Sequence, residues 1–405
     1  MPVVDLSRLA QEPVYAGGST ILQIVMDGLG GLADADRGTE LEEASTPNLD
    51  RLASEGATGL LEPVGPGITP GSGPGHLALF GYDPAEFELG RGVLSAAGLG
   101  FELKLGDVAA RGNLSTIAPD GTIVDRRAGR IADEAAREVV STLQEGVRVD
   151  GVEVCFRHER GHRFLLVLRG DGLDPRVSDT DPQATGMPPR EPAPLDPAAK
   201  RTASAVASIV RQARDLLAGR TDANGLVLRG FDTLRTLPTF HDRTGMRAAA
   251  IAAYPMYGGL ASLLGFVVIE QPADLDEAIA SLREHRDGFD YLFLHYKDTD
   301  AAGEDGDFAA KVAAIERLDA ALPRILDAAR ADVVAVSGDH ATPSQMAAHS
   351  WHPVPVLVHG PRVGRDEVDR FGERWCRGGG LGFRPTMTLL PQLMANAGRL
   401  AKYGA

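Results

Sequence analysis

Eight short apolar runs, rich in residues that favour β-strands, recur along the sequence with helix-compatible stretches between them. Apolar runs that alternate with helices are typical of a mainly parallel sheet with helices on both faces. We therefore predict an α/β fold with such a sheet in its core. The runs are TILQIVMDG (20–28), RFLLVLRG (163–170), GLVLRG (225–230), RAAAIAAY (247–254), GFVVIE (265–270), YLFLHY (291–296), DVVAVSGDH (332–340) and VPVLVHG (354–360).

The pattern changes in the middle of the chain, where short strands with turns, a proline-rich loop and one long helix follow one another. A chain of 405 residues also exceeds the usual size of one compact core, so a second domain is expected. We predict an inserted α+β domain at 107–240. The core domain is then discontinuous and consists of 1–106 and 241–405.

The formal net charge of −15 argues against nucleic acid or an anionic membrane as a general partner, because such surfaces bind proteins rich in Lys and Arg. The N-terminus lacks a signal-peptide pattern, and no apolar run is long enough to cross a bilayer, so we expect a cytoplasmic protein. Cys155 and Cys376 are isolated and indicate neither a disulfide framework nor a zinc knuckle. The oligomeric state is left open.

One helix can be placed closely from its own residues. In TPNLDRLASEG (46–56), Thr46 can cap the first turn, Pro47 suits the first helical position and Gly56 can end the helix. We expect this helix to cover the core.

The stretch PGSGPGHLALFGYDP (70–84) places one hydroxyl, Ser72, among glycines and prolines. We expect an irregular loop here, directly ahead of a helix-compatible run at 76–80. Such a loop exposes a side chain or lets a ligand approach the backbone closely.

Ionisable side chains occur at four ends of the predicted core strands. Ligands bind at the carboxyl ends of strands in an open parallel sheet. Carboxylates mixed with imidazoles suit Mn²⁺, Mg²⁺ or Zn²⁺, and two clusters of such side chains suggest two metal ions. The residues are Asp27, Asp300, Glu304, Asp339, His340 and His349.

Several segments, in order over nearly the whole chain, resemble the archaeal-type 2,3-bisphosphoglycerate-independent phosphoglycerate mutases of the alkaline phosphatase superfamily. The resemblance implies an alkaline-phosphatase-like core with a mainly parallel sheet. The segments are DGLGG, STPNLDRLASEG, GPGITPGS, HLALFGYDP, ARGNLST, DRRAGRI, VSDTDP, HYKDTDAAG and SGDHATPS.

The resemblance implies two divalent metal ions beside a nucleophilic serine, Ser72. Mn²⁺ is the ion we expect first, with Mg²⁺, Zn²⁺ or Co²⁺ as alternatives. The ligands implied for one ion are Asp27, Ser72, Asp339 and His340. Those implied for the other are Asp300, Glu304 and His349.

The implied reaction interconverts 3-phosphoglycerate and 2-phosphoglycerate, a step of glycolysis and gluconeogenesis. Ser72 would take the phosphoryl group as phosphoserine, and bound glycerate would receive it back on the other hydroxyl. The inserted domain would clamp the substrate and exclude water, since guanidinium groups pair with carboxylate and phosphate. The candidates for substrate binding are His76, Arg111, Arg126, Arg127 and Arg229.

Three segments near the implied site depart from the family pattern. Gly73 and Pro74 follow the serine, where the family has an acidic and then a small residue. Glu304 replaces a histidine ligand. An extra imidazole, His352, lies three residues after His349, and we expect it to supply the nitrogen missing at residue 304.

A further departure concerns charge, because Gly258 in YPMYGGLAS occupies a position where the family has a lysine. Lys297 in HYKDTD is a possible substitute for that cation. The alternative function is therefore a metal-dependent phospho- or phosphonohydrolase or phosphotransferase acting on another small anionic substrate. A non-enzymatic ligand-binding relative is the third possibility.

Overall fold

We describe the protein from a computed structural model, which defines residues 9–10, 19–87, 89–269 and 272–404. The chain divides into two compact units, Met1–Glu88 with Leu237–Ala405 and Leu89–Thr236. The first boundary lies earlier than the predicted 106/107 because the helix Arg91–Gly98 packs against strands of the second unit. The second lies close to the predicted 240/241.

The helices of the described residues are mostly short, with two long ones. They are α1 (Glu40–Glu43), α2 (Pro47–Glu55), α3 (Ser72–Leu79), α4 (Arg91–Gly98), α5 (Asp133–Gly146), α6 (Lys200–Leu217), α7 (Phe240–Thr244), α8 (Pro255–Leu263), α9 (Leu275–His285), α10 (Asp298–Glu304), α11 (Phe308–Ala329), α12 (Glu373–Cys376) and α13 (Leu389–Asn396). Within the described ranges, no helix is both long and apolar enough to cross a membrane.

The strands form two sheets. They are β1 (Ile21–Met26), β2 (Ala57–Glu62), β3 (Val108–Ile117), β4 (Ile123–Asp125), β5 (Glu153–Arg160), β6 (Arg163–Arg169), β7 (Gly225–Thr233), β8 (Ala248–Ala252), β9 (Val267–Val268), β10 (Tyr291–Tyr296), β11 (Val333–Ser337), β12 (Val354–His359) and β13 (Gly382–Pro385).

The first unit contains an eight-stranded sheet in the order β13-β2-β12-β11-β1-β10-β8-β9. All of its pairings are parallel except those of β12, which runs antiparallel to both neighbours. Strands β1, β10 and β11 are buried throughout, as continuous apolar runs require. The predicted mainly parallel α/β core is confirmed.

The second unit contains a five-stranded antiparallel sheet, in which β7 pairs with β3 beside the path β4-β3-β6-β5. Apolar side chains of this sheet pack against one face of α5, which includes Val139 and Leu143, and one face of α6, which includes Val206 and Ile209. Both helices carry their apolar residues at helical spacing, so each buries one stripe against the sheet.

Helix α2 begins at Pro47, as predicted, but its cap differs from the prediction. The Thr46 side chain makes no capping hydrogen bond. Instead the Asp319 carboxylate on α11 accepts from the backbone N–H groups of Asn48 (3.1 Å) and Leu49 (2.8 Å). A carboxylate also suits the positive end of a helix dipole, so a residue 271 positions away performs the capping.

Candidate metal centre and active site

The parallel register brings the chemistry-bearing residues to one edge of the sheet. Met26 pairs with Tyr296, and Val25 pairs with both His295 and Ser337. The residues that follow these strands therefore leave the sheet side by side. Asp27, Lys297 and the pair Asp339–His340 all lie within three residues of those pairings.

One group of potential ligands consists of Asp27, Asp339 and His340, whose donor atoms lie within 4.8 Å of one another. All three are fully buried. His340 Nε2 lies 3.3 Å from Asp27 Oδ1 and 3.3 Å from Asp339 Oδ2, and both oxygens lack a hydrogen-bond partner among the described residues. Buried carboxylate oxygens of this kind call for a cation, so the residues fit a divalent metal.

A second group consists of Asp300, His340 and His349. His349 Nε2 lies 3.6 Å from Asp300 Oδ1, and its ring stacks on that of His340 with centroids 3.7 Å apart. His340 thus takes part in both groups, although the family resemblance implied a role in only one. Glu304 belongs to neither, but its Oε1 lies 3.8 Å from His349 Nε2 and half of its side chain is exposed.

Ser72 is the first residue of α3, and the predicted irregular loop is wrong at this point. A helix can begin there because Pro74 falls in the first turn, where its missing N–H is not needed. Gly75 is required, since a Cβ would lie 2.4 Å from the Asp339 carbonyl oxygen. Ser72 is also buried rather than exposed, and its Oγ lies 3.3 Å from His340 Nε2.

His76 lies one turn further along α3 and is fully buried. Its Nδ1 lies 2.8 Å from the Ser72 carbonyl oxygen and 3.1 Å from Asp339 Oδ2. The helix therefore places Ser72 beside His340 and His76 beside Asp339, two members of the first group.

Three side chains that the sequence did not connect surround the second oxygen of Asp27. Tyr257 donates a short hydrogen bond to Oδ2, His295 Nε2 lies 3.2 Å from it, and Lys297 Nζ lies 2.9 Å from it. Burial opposes ionisation of Asp27. Lys297, His295 and His340 outweigh this effect and hold the pKa of the carboxyl well below its usual value. Oδ2 is thus occupied, and Oδ1 is left for a cation.

Lys297 also contacts Asp300 Oδ2 at 2.5 Å, so its ammonium bridges one carboxylate of each group. Burial opposes its charge, but the carboxylates raise the pKa of Lys297 well above its ordinary value. The lysine proposed to replace the family's cation is therefore already paired with two carboxylates. Gly258 lies next to Tyr257 on α8, and a Cβ there would meet Val268 Cγ1 at 3.1 Å.

Lys311, which was not among the residues predicted from the sequence, is completely buried on α11. Its Nζ donates to the carbonyl oxygens of Gly28 (2.9 Å), Gly30 (3.0 Å) and Thr342 (2.8 Å). It thereby joins the loop after Asp27 to the loop after His340. The signal in the sequence is a lysine on the apolar face of FAAKVAAI, where burial is expected.

Gly28 allows this close packing of the two loops. Its φ of +63° favours glycine, and a Cβ would lie 2.5 Å from Thr342 Oγ1 and 2.7 Å from Asp300 Oδ1. The Thr342 hydroxyl lies 2.6 Å from Asp300 Oδ1 and 3.0 Å from His340 Nδ1, so it joins Asp300 to the histidine that the two groups share.

Electrostatics favour the charged form of His340 in the absence of a cation. Burial lowers its pKa, but the carboxylates of Asp339 and Asp27 raise the pKa to about 9. Burial, followed by the neighbouring His340, lowers the pKa of His349. The two stacked imidazoles thus differ in protonation, and only a neutral imidazole can bind a metal ion.

The second unit holds a separate cluster of cationic side chains. Arg111 on β3 and Arg229 on β7 are paired across the sheet, and the Nε atom of each is buried without a hydrogen-bond partner among the described residues. Burial and the nearby Arg91 lower the pKa of Arg111 well below its ordinary value and that of Arg229 to about 10. An anion would relieve this repulsion.

Arg126 and Arg127 differ from these two. Arg126 donates two hydrogen bonds to Asp181, at 2.9 and 2.6 Å, and is thereby paired. Arg127 is exposed. The sequence missed His162, whose pKa is lowered to about 4 by burial and by Arg163, Arg127 and Arg111.

His352 lies near the second ligand group in sequence but belongs to neither group. Its Nδ1 lies 2.9 Å from Ser350 Oγ, and its ring stacks on Trp351. Burial lowers the pKa of His352. Its expected role in replacing the missing imidazole stays a prediction.

Comparison with known proteins gives a consistent result. A sequence profile described as 2,3-bisphosphoglycerate-independent phosphoglycerate mutase matches residues 53–221. A protein of Thermus thermophilus named probable 2,3-bisphosphoglycerate-independent phosphoglycerate mutase is 49% identical over 99% of this chain and all of its own length. A protein of Aquifex aeolicus with the same name is 46% identical, covering 97% of this chain and 99% of its own.

Two solved structures are similar over most of the chain. The PH0037 protein from Pyrococcus horikoshii has a TM-score of 0.80 and 30% identity, covering 95% of this chain and 99% of its own. The cofactor-independent phosphoglycerate mutase from Thermoplasma acidophilum has a TM-score of 0.67 and 29% identity, covering 94% of this chain and 100% of its own.

Proposed function

The chain belongs to the family of 2,3-bisphosphoglycerate-independent phosphoglycerate mutases, and we propose that it transfers the phosphoryl group through Ser72. One observation supports Ser72 above all. Its Oγ lies 3.3 Å from His340 Nε2, and His340 belongs to both groups of potential metal ligands. The hydroxyl is therefore next to the two places where cations fit.

We propose that the two groups hold divalent ions, Mn²⁺ first among them, with Ser72 and Glu304 completing their ligand sets. Bound ions of this kind lower the pKa of an alcohol ligand and neutralise charge on a transferring phosphoryl group. Lys297, Tyr257 and His295 would keep Asp27 ionised and fix its orientation, so that Oδ1 remains available.

Ser72 would attack the phosphorus of 3-phosphoglycerate, and the bond from phosphorus to the substrate's 3-oxygen would break. Glycerate would leave with its 3-hydroxyl protonated, and phosphoserine would remain. After reorientation, the 2-hydroxyl would attack phosphoserine, releasing Ser72 and 2-phosphoglycerate. Because Ser72 begins α3, the backbone N–H groups of Ser72 and Gly73 would face the phosphoryl oxygens, whereas Pro74 has no N–H and that of Gly75 donates to the Gly71 carbonyl oxygen.

We assign the binding of anionic substrate groups to Arg111 and Arg229, because the Nε of each is buried and forms no hydrogen bond within the described residues, although Arg229 Nε lies 3.9 Å from Asp181 Oδ2. A guanidinium pairs bidentately with carboxylate or phosphate. Arg126 would contribute indirectly, since it is paired with Asp181, and Arg127 and His76 remain candidates. Cytoplasmic location also stays a prediction.

The test is to load the protein with Mn²⁺, add 3-phosphoglycerate and follow the products by ³¹P NMR. A mutase forms 2-phosphoglycerate without releasing inorganic phosphate. Release of phosphate alone would instead favour the hydrolase, the alternative suggested by Gly258. No product with Mn²⁺, Mg²⁺, Zn²⁺ or Co²⁺ would contradict both.

A further inference from the structure

A groove lies at the amino ends of the central strands, away from the candidate metal centre. Its volume is about 370 Å³, and four arginines and two aspartates are among the residues that line it. The charged residues are Arg247, Arg286, Arg330, Arg399, Asp287 and Asp290. We call this the basal groove.

The basal groove and the metal centre occupy opposite edges of the same sheet. Thr20 lines the groove and precedes β1, whereas Asp27 follows β1. Six strand residues separate them, which corresponds to about 20 Å at 3.3 Å per residue. A molecule bound in the groove would therefore not contact the residues assigned to phosphoryl transfer.

The charge of the groove is opposite to that of the whole chain. Four arginines and two aspartates give it a formal charge of +2, within a protein of net charge −15. A local excess of guanidinium groups in a concave surface attracts small anions and fits the geometry of phosphate. Its volume lies within the range of small-molecule sites.

Two of the arginines form a fixed base for the groove. Arg399 is buried, and it donates to Asp290 Oδ1 at 2.8 Å and to the Ser19 carbonyl oxygen at 3.1 Å. Arg286 donates to the Ala328 carbonyl oxygen at 3.1 Å. These contacts hold the two guanidinium groups in place, so these side chains would lose little conformational entropy on binding an anion.

The other two arginines, Arg247 and Arg330, have guanidinium N–H groups that form no hydrogen bond within the described residues. Arg247 has an exposed side chain, with only a 3.6 Å contact between its Nε and Asp290. The Arg330 side chain makes no hydrogen bond or ion pair within the described ranges, and its φ of +47° is unfavourable for a residue other than glycine. Arg330 thus occupies, at a conformational cost, a helix-end position that favours glycine, and it lines the groove.

We propose that the basal groove is a binding site for a small phosphate-bearing anion, separate from the site of phosphoryl transfer. Arg330 and Arg247 would bind the anion's oxygens, over the base formed by Arg399 and Arg286. Binding there would connect the ends of α9 and α11 to the C-terminal segment and would stabilise the folded chain.

The test is calorimetric titration of the intact protein with pyrophosphate, with inorganic phosphate as a second probe. The groove variant is Arg286→Gln/Arg330→Gln. The control, Arg283→Gln/Arg324→Gln, removes two charges from α9 and α11, the helices that Arg286 and Arg330 follow, at residues that pair with Asp327 and Asp276 outside the groove. Any binding to Arg111 and Arg229 is common to all three proteins.

We expect a pyrophosphate site in the wild type and the control that weakens about 10-fold or more in the groove variant. The melting temperature should rise with pyrophosphate in the first two proteins and less in the third. Equal affinity in all three proteins, or equal weakening in both variants, would overturn the proposal. Mutase turnover should be unchanged in both variants, so a negative result leaves the proposed function untouched.

Discussion

Arg111 and Arg229 lie directly opposite each other on the antiparallel strands β3 and β7. Like charges in such a pair are destabilising, and here each also buries an Nε that forms no hydrogen bond within the described residues. The pair therefore lowers the stability of the second unit. A cluster of this kind is explained by an anionic ligand that satisfies it, which gives the first prediction.

Replacing Arg111 with methionine should stabilise the protein and weaken substrate binding. Removal of a buried, uncompensated charge should raise the free energy of unfolding by about 1 kcal/mol. Loss of a charge-assisted hydrogen bond should raise KM for 3-phosphoglycerate about 10-fold or more. Urea denaturation and steady-state kinetics measure the two effects.

Arg126→Met is the matched control, because Arg126 is paired with the buried Asp181. Breaking that pair should lower the free energy of unfolding by about 3 kcal/mol. If Arg111→Met proved less stable than wild type and left KM unchanged, an anion-binding role for the Arg111–Arg229 pair would be wrong.

Replacing Lys311 with methionine should weaken metal binding, because three backbone carbonyls in the two ligand-bearing loops lose their donor. We expect Mn²⁺ affinity to fall about 10-fold and the free energy of unfolding to fall by about 3 kcal/mol. Titration calorimetry of the folded variant measures the first effect. Lys311→Arg should lose less Mn²⁺ affinity and less stability than Lys311→Met.

An exposed residue of the same helix, Arg324, supplies the control for α11. Arg324→Met should bind Mn²⁺ as the wild type does. Unchanged affinity in Lys311→Met would show that the lysine supports the fold but does not position the ligands.

Stability of the metal-free protein should depend on pH through His340. Its folded pKa, about 9, lies above the ordinary 6.5, so the folded state binds this proton more tightly. The resulting stabilisation is complete below pH 6.5 and is lost as the pH rises through 9. Denaturation curves between pH 6 and about 9.5 measure this.

His340→Asn isolates the histidine, because it removes this titration. The difference in stability between wild type and variant should shrink steadily over the same pH range. A difference that stays constant from pH 6.5 to 9 would contradict the charge assigned to His340.

Glu304 and His352 are alternative candidates for the remaining ligand of the second group, and the two alternatives predict different effects of mutation. Glu304 Oε1 lies 3.8 Å from His349 Nε2, whereas His352 Nδ1 is engaged with Ser350. We therefore expect Glu304→Gln to weaken Mn²⁺ binding about 10-fold and His352→Ala to change it little. Titration with Mn²⁺ checks both, and the reverse order would support the role that sequence alone suggested for His352.

The sequence was a good guide to the core because continuous apolar strands reveal burial on both faces. Asp27, Asp300 and Asp339 were predicted as ligands because they follow parallel strands, which end at one edge of a sheet, and His349 was predicted from the loop ahead of β12. All of them contribute to the two groups of potential metal ligands.

Contacts between distant segments could not be predicted in the same way. The cap of α2 comes from Asp319, and the partners of Asp27 include Tyr257 and His295. Local residues carry no sign of such pairings. The start of α3 was not predicted because glycines and proline are typical of loops. Proline is, however, also tolerated in the first turn of a helix, where Pro74 lies.

The most direct test of the account is the comparison of Ser72→Ala with wild type in Mn²⁺ binding and in turnover of 3-phosphoglycerate. We expect the variant to bind Mn²⁺ with most of the wild-type affinity, since the buried carboxylates and imidazoles remain, and to form no 2-phosphoglycerate. Comparable turnover in Ser72→Ala would contradict phosphoryl transfer through this serine.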